Sequence, residues 1–291
     1  MDFVSFEAAP LHTRGTNHRQ GSFRYKDLGQ GTPGRLDNFY LRIVWTEGDF
    51  FSPRHMHNFD QVRAQLKGRF SFDKDGTMHP GGVGYFPEGT AYGPQTSAED
   101  TIQLAMQIGA PSRSGYISEE ERQVAAEALS KRGRFEKGKY FANDDKSGVG
   151  QDGFEAVWEY ANGRRIKYPK KRLEKPLLVN PDAFEWLDVA SAAGVRTKRL
   201  WDFGANALAC SLYQLGPKSS VALSGPLTAF ILAGAGEVAE HRYAKYDALH
   251  LAAAEKARIE AREESELLVM THPVFPHPVK RSVAAAEVEH S

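Results

Sequence analysis

Residues 48–68 read GDFFSPRHMHNFDQVRAQLKG, and this stretch carries most of what the sequence predicts. His55 and His57 stand two positions apart in an extended context, which places both imidazoles on the same side of a strand. Two neutral imidazoles facing one way can share a metal ion. Together with an oxygen ligand they would suit Fe, Mn, Co, Ni, Cu or Zn, and the spacing does not choose among these metals.

The segment 61–67 alternates between apolar and polar side chains, which is the period of a strand with one face on a core. The apolar members are Val62, Ala64 and Leu66, and the polar face is formed by Gln61, Arg63 and Gln65. If the parity holds from the histidines onward, this polar face shares their interior. Arg63 could then bind a substrate carboxylate through two hydrogen bonds, or pair with an internal acid.

Further strands of the same kind surround this one and predict an all-β fold. They are expected at 39–45, 70–72, 81–86 and 101–108, and the pattern returns after Thr197. A helix is predicted from Ser118, because Ser118 and Glu121 form a capping box and Val124, Ala128 and Leu129 form an apolar stripe. Residues 132–152 lack periodicity and are interpreted as an exposed loop, and the basic run 167–172 as part of a linker.

These residues resemble the two motifs of the cupin superfamily. The first motif runs from a Gly through His-x-His and an acidic residue to a second Gly. Gly48, His55, His57 and Gly68 match it, with Gln61 where Glu is usual. The second motif contains Pro-x-Gly followed by a His; Pro87 and Gly89 match, and Tyr92 replaces the His.

The resemblance implies tandem cupin double-stranded β-helix (jelly-roll) barrels with a few short helices, a bicupin. It also implies that His55 and His57 are metal ligands, with Gln61 as a third through its amide oxygen. Gln61 could instead be a core-lining amide that touches no metal. Tyr92, the candidate catalytic residue, could ligate as a phenolate, hydrogen-bond a bound water or substrate, or only fill space. Arg63 and Gln65 are the candidate substrate-binding residues. One divalent transition metal per chain is expected, with Fe, Mn, Ni and Zn as the candidates.

The second half repeats the order of elements, and Gly68 matches Gly234 at an offset of 166 residues. At this offset Val221 and Leu223 replace the two histidines, so no metal site is expected there. The predicted domains are an N-terminal barrel at 1–155 with an insertion near 118–152, a linker at 156–176, and a C-terminal barrel at 177–291. The second barrel is expected to cover the first or to form a homodimer.

Composition narrows the functional classes. The chain of 291 residues carries 37 basic and 37 acidic side chains, which argues against nucleic-acid or membrane-surface binding through bulk charge. One cysteine, Cys210, excludes an intrachain disulfide. Neither a secretory signal nor a membrane-spanning run is evident, so a cytoplasmic protein with a small-molecule substrate is expected.

Three functions remain open at this point. The first is a mononuclear non-haem dioxygenase that acts on a small, anionic, oxygen-rich substrate. The second uses the same site for redox-neutral isomerase or lyase chemistry, with the metal polarising a carbonyl. The third is a small-molecule-binding cupin without catalysis, which the Gln61 and Tyr92 replacements favour. The fold by itself does not separate them.

Overall fold

The computed structural model describes residues 1–15, 22–110, 112, 116–204 and 208–274. Strands dominate it, as expected from the alternating patterns. Numbered in chain order, the strands are β1 (Asp2–Val4), β2 (Leu11–Gly15), β3 (Ser22–Gln30), β4 (Phe39–Thr46), β5 (Phe50–Ser52), β6 (Asp60–Lys67), β7 (Phe70–Ser71), β8 (Thr77–Met78), β9 (Val83–Phe86), β10 (Gln95–Ser97), β11 (Thr101–Ile108), β12 (Gly133–Glu136), β13 (Lys139–Ala142), β14 (Gln151–Asp152), β15 (Leu177–Val179), β16 (Leu187–Asp188), β17 (Val195–Trp201), β18 (Ala209–Leu215), β19 (Ser220–Ser224), β20 (Leu227–Ala233), β21 (Gly236–Val238), β22 (His241–Tyr243), β23 (Ala248–Leu251), β24 (Lys256–Ala261) and β25 (Ser265–Thr271). The helices are α1 (Glu119–Ser130) and α2 (Gly153–Asn162), with short 3-10 turns at Asp73–Asp75 and Pro181–Ala183.

Two antiparallel barrels are built from these strands, each with one large and one small sheet. In the first barrel the seven-stranded sheet has the order β15-β9-β6-β11-β4-β3-β2, and the four-stranded sheet β5-β10-β7-β8. In the second the orders are β1-β23-β20-β25-β18-β17-β16 and β19-β24-β21-β22. The two orders correspond strand for strand, so the predicted all-β fold of tandem jelly-roll barrels with a few short helices is confirmed.

A close-approach contact fixes the correspondence between the halves. Gly68 and Gly234 each follow a central strand and have φ values of 68° and 88°. A Cβ at Gly68 would lie 2.5 Å from the carbonyl oxygen of Asp100, and one at Gly234 would lie 2.4 Å from that of Glu264. Asp100 and Glu264 stand immediately before β11 and β25, which are equivalent strands. Only glycine combines this φ with this approach, so the 166-residue offset is correct at this position.

The two large sheets face each other across a shared core. Its members from β6 and β11 are Val62, Ala64, Leu104 and Met106, and those from β18, β20 and β25 are Cys210, Leu212, Phe230, Leu268 and Met270. Each strand therefore gives one face to the interface between the barrels and the other face to its own barrel interior. The alternation predicted for residues 61–67 is the cause: one parity packs outward and the other lines the barrel.

Edge strands are exchanged between the halves. β1, at the start of the chain, pairs with β23 of the second barrel, with Phe3 opposite Leu249. β15, after the helical insertion, pairs with β9 of the first barrel, with Leu178 opposite Gly84. The sheets therefore do not divide at 155 and 177, and helix α2 runs through the first of these expected boundaries.

The insertion between β11 and β15 is structured. Helix α1 begins with the predicted capping box, in which the Ser118 hydroxyl accepts from Glu121 N and the Glu121 carboxylate accepts from Ser118 N. The interpretation of residues 132–152 as an exposed loop is wrong, because β12, β13 and β14 form a small sheet there. The buried side of α1 also differs from the predicted apolar stripe. Leu129 is buried as expected, but Val124 is 66% exposed, and Ala125 is buried instead.

The basic run 167–172 joins this insertion to the first barrel. Arg172 forms an ion pair with the buried Asp60 at 3.5 Å and hydrogen-bonds the Tyr85 hydroxyl. This contact fixes the segment on the outer face of β6, away from the barrel interior. Among the described residues, no helix has the length and the apolar character that crossing a membrane requires.

Candidate functional site

His55 and His57 lie at one wall of the first barrel, just before β6. The backbone of His55 pairs with that of Tyr92 through two hydrogen bonds of 3.2 and 3.0 Å. The imidazole centroids of His55 and His57 are 4.8 Å apart, and the Tyr92 ring lies 4.8 Å from His55 and 5.8 Å from His57. The two motifs that were far apart in the sequence therefore meet at these three side chains.

The tautomer of His55 is set by its neighbours. Its Nδ1–H donates to the carbonyl oxygen of Pro53 at 2.6 Å, because a carbonyl can only accept. Its Nε2 is then an acceptor and receives an N–H of the Gln95 amide at 3.1 Å. An imidazole held at Nδ1 with a lone pair on Nε2 has the orientation that metal-binding histidines use.

A chain of hydrogen bonds links His57 to Arg63. The Gln61 Oε1 atom can only accept, so the Tyr92 hydroxyl donates to it at 3.1 Å, and the His57 Nε2–H donates to the Tyr92 oxygen at 2.9 Å. Arg63 Nε also donates to Gln61 Oε1, at 3.1 Å. The Gln61 oxygen therefore receives two donors, and Tyr92 is held between His57 and Gln61.

Arg63 is 7% exposed and points into the barrel interior. Its Nη1 donates to Gln95 Oε1 at 2.7 Å, and four aromatic rings, those of Phe70, Phe72, Phe86 and Tyr92, lie within 6 Å of the guanidinium carbon. Among the described residues, no carboxylate forms an ion pair with it. A buried cation that is held only by amide oxygens and aromatic rings attracts an anion.

Gln65 is on the same face but does not line the cavity. Its amide nitrogen donates to the carbonyl oxygen of Lys67 at 2.7 Å, and its oxygen accepts from Gln103 Nε2 at 2.6 Å. Five of the predicted site residues lie together: His55, His57, Gln61, Arg63 and Tyr92. Gln65 lies two residues after Arg63 on β6 and bonds Lys67 and Gln103 instead.

The insertion closes the open end of the barrel and creates a cavity of about 230 Å³. The barrel contributes His55, His57, Gln61, Arg63, Phe50 and Phe59 to the lining, and the insertion contributes Arg122, Phe135, Asp152, Phe154 and Val157. The Phe154 ring lies 5.4 Å from the His57 ring and 5.9 Å from the Phe59 ring. Residues 118–162 thus form a lid, and this term is used for them below.

The donor set fits a metal ion in part. His55 would offer its Nε2 lone pair after releasing the Gln95 amide, and His57 would offer its own after its proton moves to Nδ1. Gln61 and Tyr92 are already engaged with each other, and neither is a carboxylate. The described residues contain no cluster of three or more His, Cys, Asp or Glu side chains arranged for a metal. The two imidazoles fit a metal, and the charge balance would have to come from a bound anion.

Two buried acids lie on the opposite face of β6, outside the cavity. Asp60 accepts from the Tyr85 hydroxyl at 2.9 Å and from Glu88 N at 3.0 Å, and burial raises its pKa. Burial also raises the pKa of Glu88 to about 7, although hydrogen bonds from Ser112 oppose the shift. The Asp60 carboxyl group fastens the linker at Arg172, whereas the Glu88 carboxyl group accepts from Ser112.

Sequence reasoning missed Gln95 and the lid residues. Gln95 joins His55 to Arg63, and it lies three positions after Tyr92, where the second motif gives no signal. Of the lid residues that line the cavity, Phe135 and Asp152 belong to the segment 132–152, which has no recognisable periodicity, and Phe154 and Val157 follow it. Two other histidines, His250 and His272, also meet: each hydrogen-bonds the Thr228 hydroxyl at 2.8 Å, although their spacing in the sequence suggested no pairing. His18 and His277 lie outside the described residues.

No family model and no curated protein sequence matches the chain. Solved structures do match it. A candidate dioxygenase from Nostoc punctiforme is 12% identical with a TM-score of 0.61, covering 94% of this chain and 83% of that one. A protein of Geobacillus kaustophilus is 15% identical with a TM-score of 0.54, covering 94% and 100%.

The oxalate decarboxylase of Bacillus subtilis, in a structure concerned with its Mn(II) centres, is 16% identical with a TM-score of 0.55, covering 96% of this chain and 78% of that one. At such low identity these likenesses concern the fold. Matching strand orders in the two halves and the solved structures agree on the fold: the chain consists of two tandem jelly-roll barrels, as the resemblance to the cupin motifs implied.

Proposed function

We propose that the first barrel is the catalytic half of a metal-dependent cupin enzyme, of the mononuclear non-haem dioxygenase type, which acts on a small, anionic, oxygen-rich substrate. The observation that carries the proposal is Arg63, a buried guanidinium that faces a cavity beside two histidines. Its described partners are amide oxygens rather than a carboxylate. A substrate carboxylate would supply the charge that the protein side chains leave out.

His55 and His57 would hold a single divalent transition metal, with Fe, Mn, Ni and Zn as candidates. When bound, such an ion supplies Lewis acidity and, for Fe or Mn, electron exchange with dioxygen. The Mn(II) centres named for the Bacillus subtilis decarboxylase make Mn a reasonable first choice. Gln61 would act as a hydrogen-bond acceptor beside the metal, and it would become a ligand only by releasing one of its two donors.

The remaining side chains position the substrate. Arg63 would bind its carboxylate, and Gln95 would keep the guanidinium and the His55 ring in a fixed relation. The Tyr92 hydroxyl lies behind the cavity lining, 2.9 Å from His57 Nε2 and 3.1 Å from Gln61 Oε1, and would hold these two side chains in place. The lid would exclude water, which strengthens each of these electrostatic interactions.

A second candidate is a small-molecule-binding cupin without catalysis. The observation that favours it is the double occupation of Gln61 Oε1, together with the lack of an anionic ligand near the imidazoles. The cavity and Arg63 would then serve binding alone.

Metal analysis and oxygen uptake separate the two candidates. We expect one metal per chain after saturation with Fe, Mn, Ni and Zn in turn, and loss of that metal in His55→Ala and His57→Ala. His79→Ala, which removes an exposed histidine, is the control. Oxygen consumption with a panel of small carboxylates would support the dioxygenase. Stoichiometry near zero with intact ligand binding would support the binding protein, and a value near two would place a metal in the second barrel.

A homodimer in the cytoplasm also stays a prediction of the sequence. Light scattering on the purified full chain would test the dimer.

A further inference from the structure

The cavity combines one charged end with aromatic walls. Phe50, Phe59 and Phe70 line it from the barrel, and Phe135, Phe154 and Val157 line it from the lid. Phe154 and Phe59 pack edge to face, with centroids 5.9 Å apart and an interplanar angle of 76°, and together they form one aromatic wall of the cavity. Such walls favour a flat apolar group, because aromatic rings pack well edge to face and offset.

Charge is distributed unevenly among the cavity's ionic side chains, which are Arg42, Arg63, Arg122 and Asp152. Arg42 pairs with Asp27 at 2.7 Å and with Glu119 at 3.5 Å, and Arg122 also pairs with Glu119. Asp152 lies in the exposed rim, where its carboxylate accepts from the first amides of α2. Among the described residues, Arg63 is therefore the arginine of the cavity that no carboxylate pairs with, and it lies inside the barrel. The negative charge of Asp152 lies at the rim.

The volume of the cavity is sufficient for a small aromatic ring. An apolar protein cavity of about 150 Å³ accepts benzene. The cavity here is about 230 Å³, which leaves room for one six-membered ring and a small polar substituent. A two-carbon dicarboxylate would leave the aromatic walls uncovered.

We propose that the ligand of this cavity is a one-ring aromatic carboxylate, with its carboxylate on Arg63 and its ring against the aromatic wall that Phe59 and the lid residue Phe154 form. The assignment rests on the proposed function only in placing an anion in the first barrel. It adds the ring, the inward direction of the carboxylate and Phe154 as a residue that determines specificity. The metal is not needed for the binding step.

Calorimetric titration of the full chain, as purified, tests this assignment with four probes: benzoate, benzamide, acetate and oxalate. Benzamide keeps the ring and removes the charge, whereas acetate keeps the charge and removes the ring. We expect benzoate to bind at least about tenfold more tightly than each of the other three probes. Benzamide lacks the charge, and acetate and oxalate lack the ring. Benzamide or acetate binding as tightly as benzoate would overturn the proposal.

Variants locate the ligand in the cavity. Arg63→Leu should abolish the difference between benzoate and benzamide, and Phe154→Ala should weaken benzoate about tenfold while leaving acetate unchanged. Val124→Ala, on the exposed face of the same lid, is the control and should change neither. Benzoate binding that is insensitive to Phe154→Ala would place the ligand elsewhere. If Arg63→Leu does not fold, the benzamide comparison and Phe154→Ala still decide the question.

The outcome is distinguishable from failure of the proposed catalysis. Benzoate binding without metal uptake or oxygen consumption would keep this assignment and remove the dioxygenase. Oxygen consumption with aliphatic acids alone, and no benzoate binding, would do the reverse.

Discussion

Strands β6 and β20 occupy the same place in the two barrels, but their inward-facing side chains differ in chemistry. In the first barrel Gln61 and Arg63 face a cavity, whereas the equivalent Leu227 and Ala229, followed by Ile231, are buried in a continuous apolar core. Each buried aliphatic side chain stabilises the fold by roughly 1.5–3 kcal/mol, and a buried guanidinium does not. The same backbone therefore carries polar side chains that line a cavity in one half and apolar side chains that pack a core in the other.

The outward faces of the same two strands differ much less. Val62 and Ala64 from β6 and Phe230 from β20 all join the core between the barrels. The second barrel thus contacts the first through a largely apolar interface, in which Thr228, the equivalent of Val62, bonds the buried His250 and His272. The predictions below test that division, beginning with the largest expected effect.

Ile231→Ala should destabilise the chain by about 2–5 kcal/mol, because it removes a buried side chain from the packed interior of the second barrel. Urea denaturation followed by circular dichroism measures the loss. Leu187→Ala, the truncation of a side chain that is 61% exposed, is the control. Benzoate binding to the folded variant should not change. A loss below about 1 kcal/mol would mean that the second interior is not tightly packed.

Histidines also differ between regions, since His55 lines the cavity whereas His250 and His272 are sealed between the barrels. His272 is held by Thr228, and His250 donates to the carbonyl oxygen of Leu28 at 2.7 Å. Gly29 makes this possible, because a Cβ there would lie 2.1 Å from His250. Burial lowers the pKa of His272 to about 3 and also lowers that of His250.

The free energy of unfolding should therefore decrease as the pH is lowered below about 6.5. In this range His272 of the unfolded chain takes up a proton, whereas His272 of the folded chain stays neutral until about pH 3. The slope from this group reaches about 1.4 kcal/mol per pH unit. The contribution of His272 is the difference in the free energy of unfolding between the unmodified chain and His272→Gln. Urea denaturation measures it from pH 7.5 to 4.5. Glu88, with a pKa raised to about 7, has the opposite slope between about 4.5 and 7, and it cancels in this difference. A pH-independent difference would contradict the assignment.

Gln61→Glu should make the first interior bind metal more tightly and anions less tightly. The new carboxylate would lie beside the imidazoles and beside Arg63 Nε, so it would supply an anionic ligand and also neutralise the guanidinium. We expect opposite changes of about tenfold, each near 1.4 kcal/mol, in metal competition and benzoate titration. Gln123→Glu makes the same charge change on the exposed side of the lid and is the control. Parallel changes in the two affinities would refute this arrangement.

Ser118→Ala should have the smallest effect, about 1 kcal/mol, because it removes the side-chain half of the capping box of α1. The second barrel has no counterpart of this lid among its described strands, so its stability should not respond. Hydrogen exchange at α1 amides, compared with amides of β20, would show whether the loss is confined to the lid. Equal acceleration in both regions would mean that the lid and the second barrel unfold together.

What the sequence determined by itself was local. Alternation of period two gave the strands around His55 and Gln61 and the two faces of β6, since a strand's side-chain directions follow from its own backbone. The capping box predicted the start of α1 for the same reason, and the missing histidine pair predicted an apolar second interior. Resemblance to two short motifs also predicted that Tyr92 belongs to the site of the histidines.

Only the tertiary structure decided which distant residues meet. Gln95 joins His55 to Arg63, Phe154 closes the cavity, and His250 and His272 share Thr228, all through contacts between segments far apart in the chain. The strands at 133–152 and the exchange of β1 and β15 also depend on partners supplied from elsewhere. The physical reason is that a strand edge, a lid and a buried hydrogen bond are completed by groups that the local sequence does not contain.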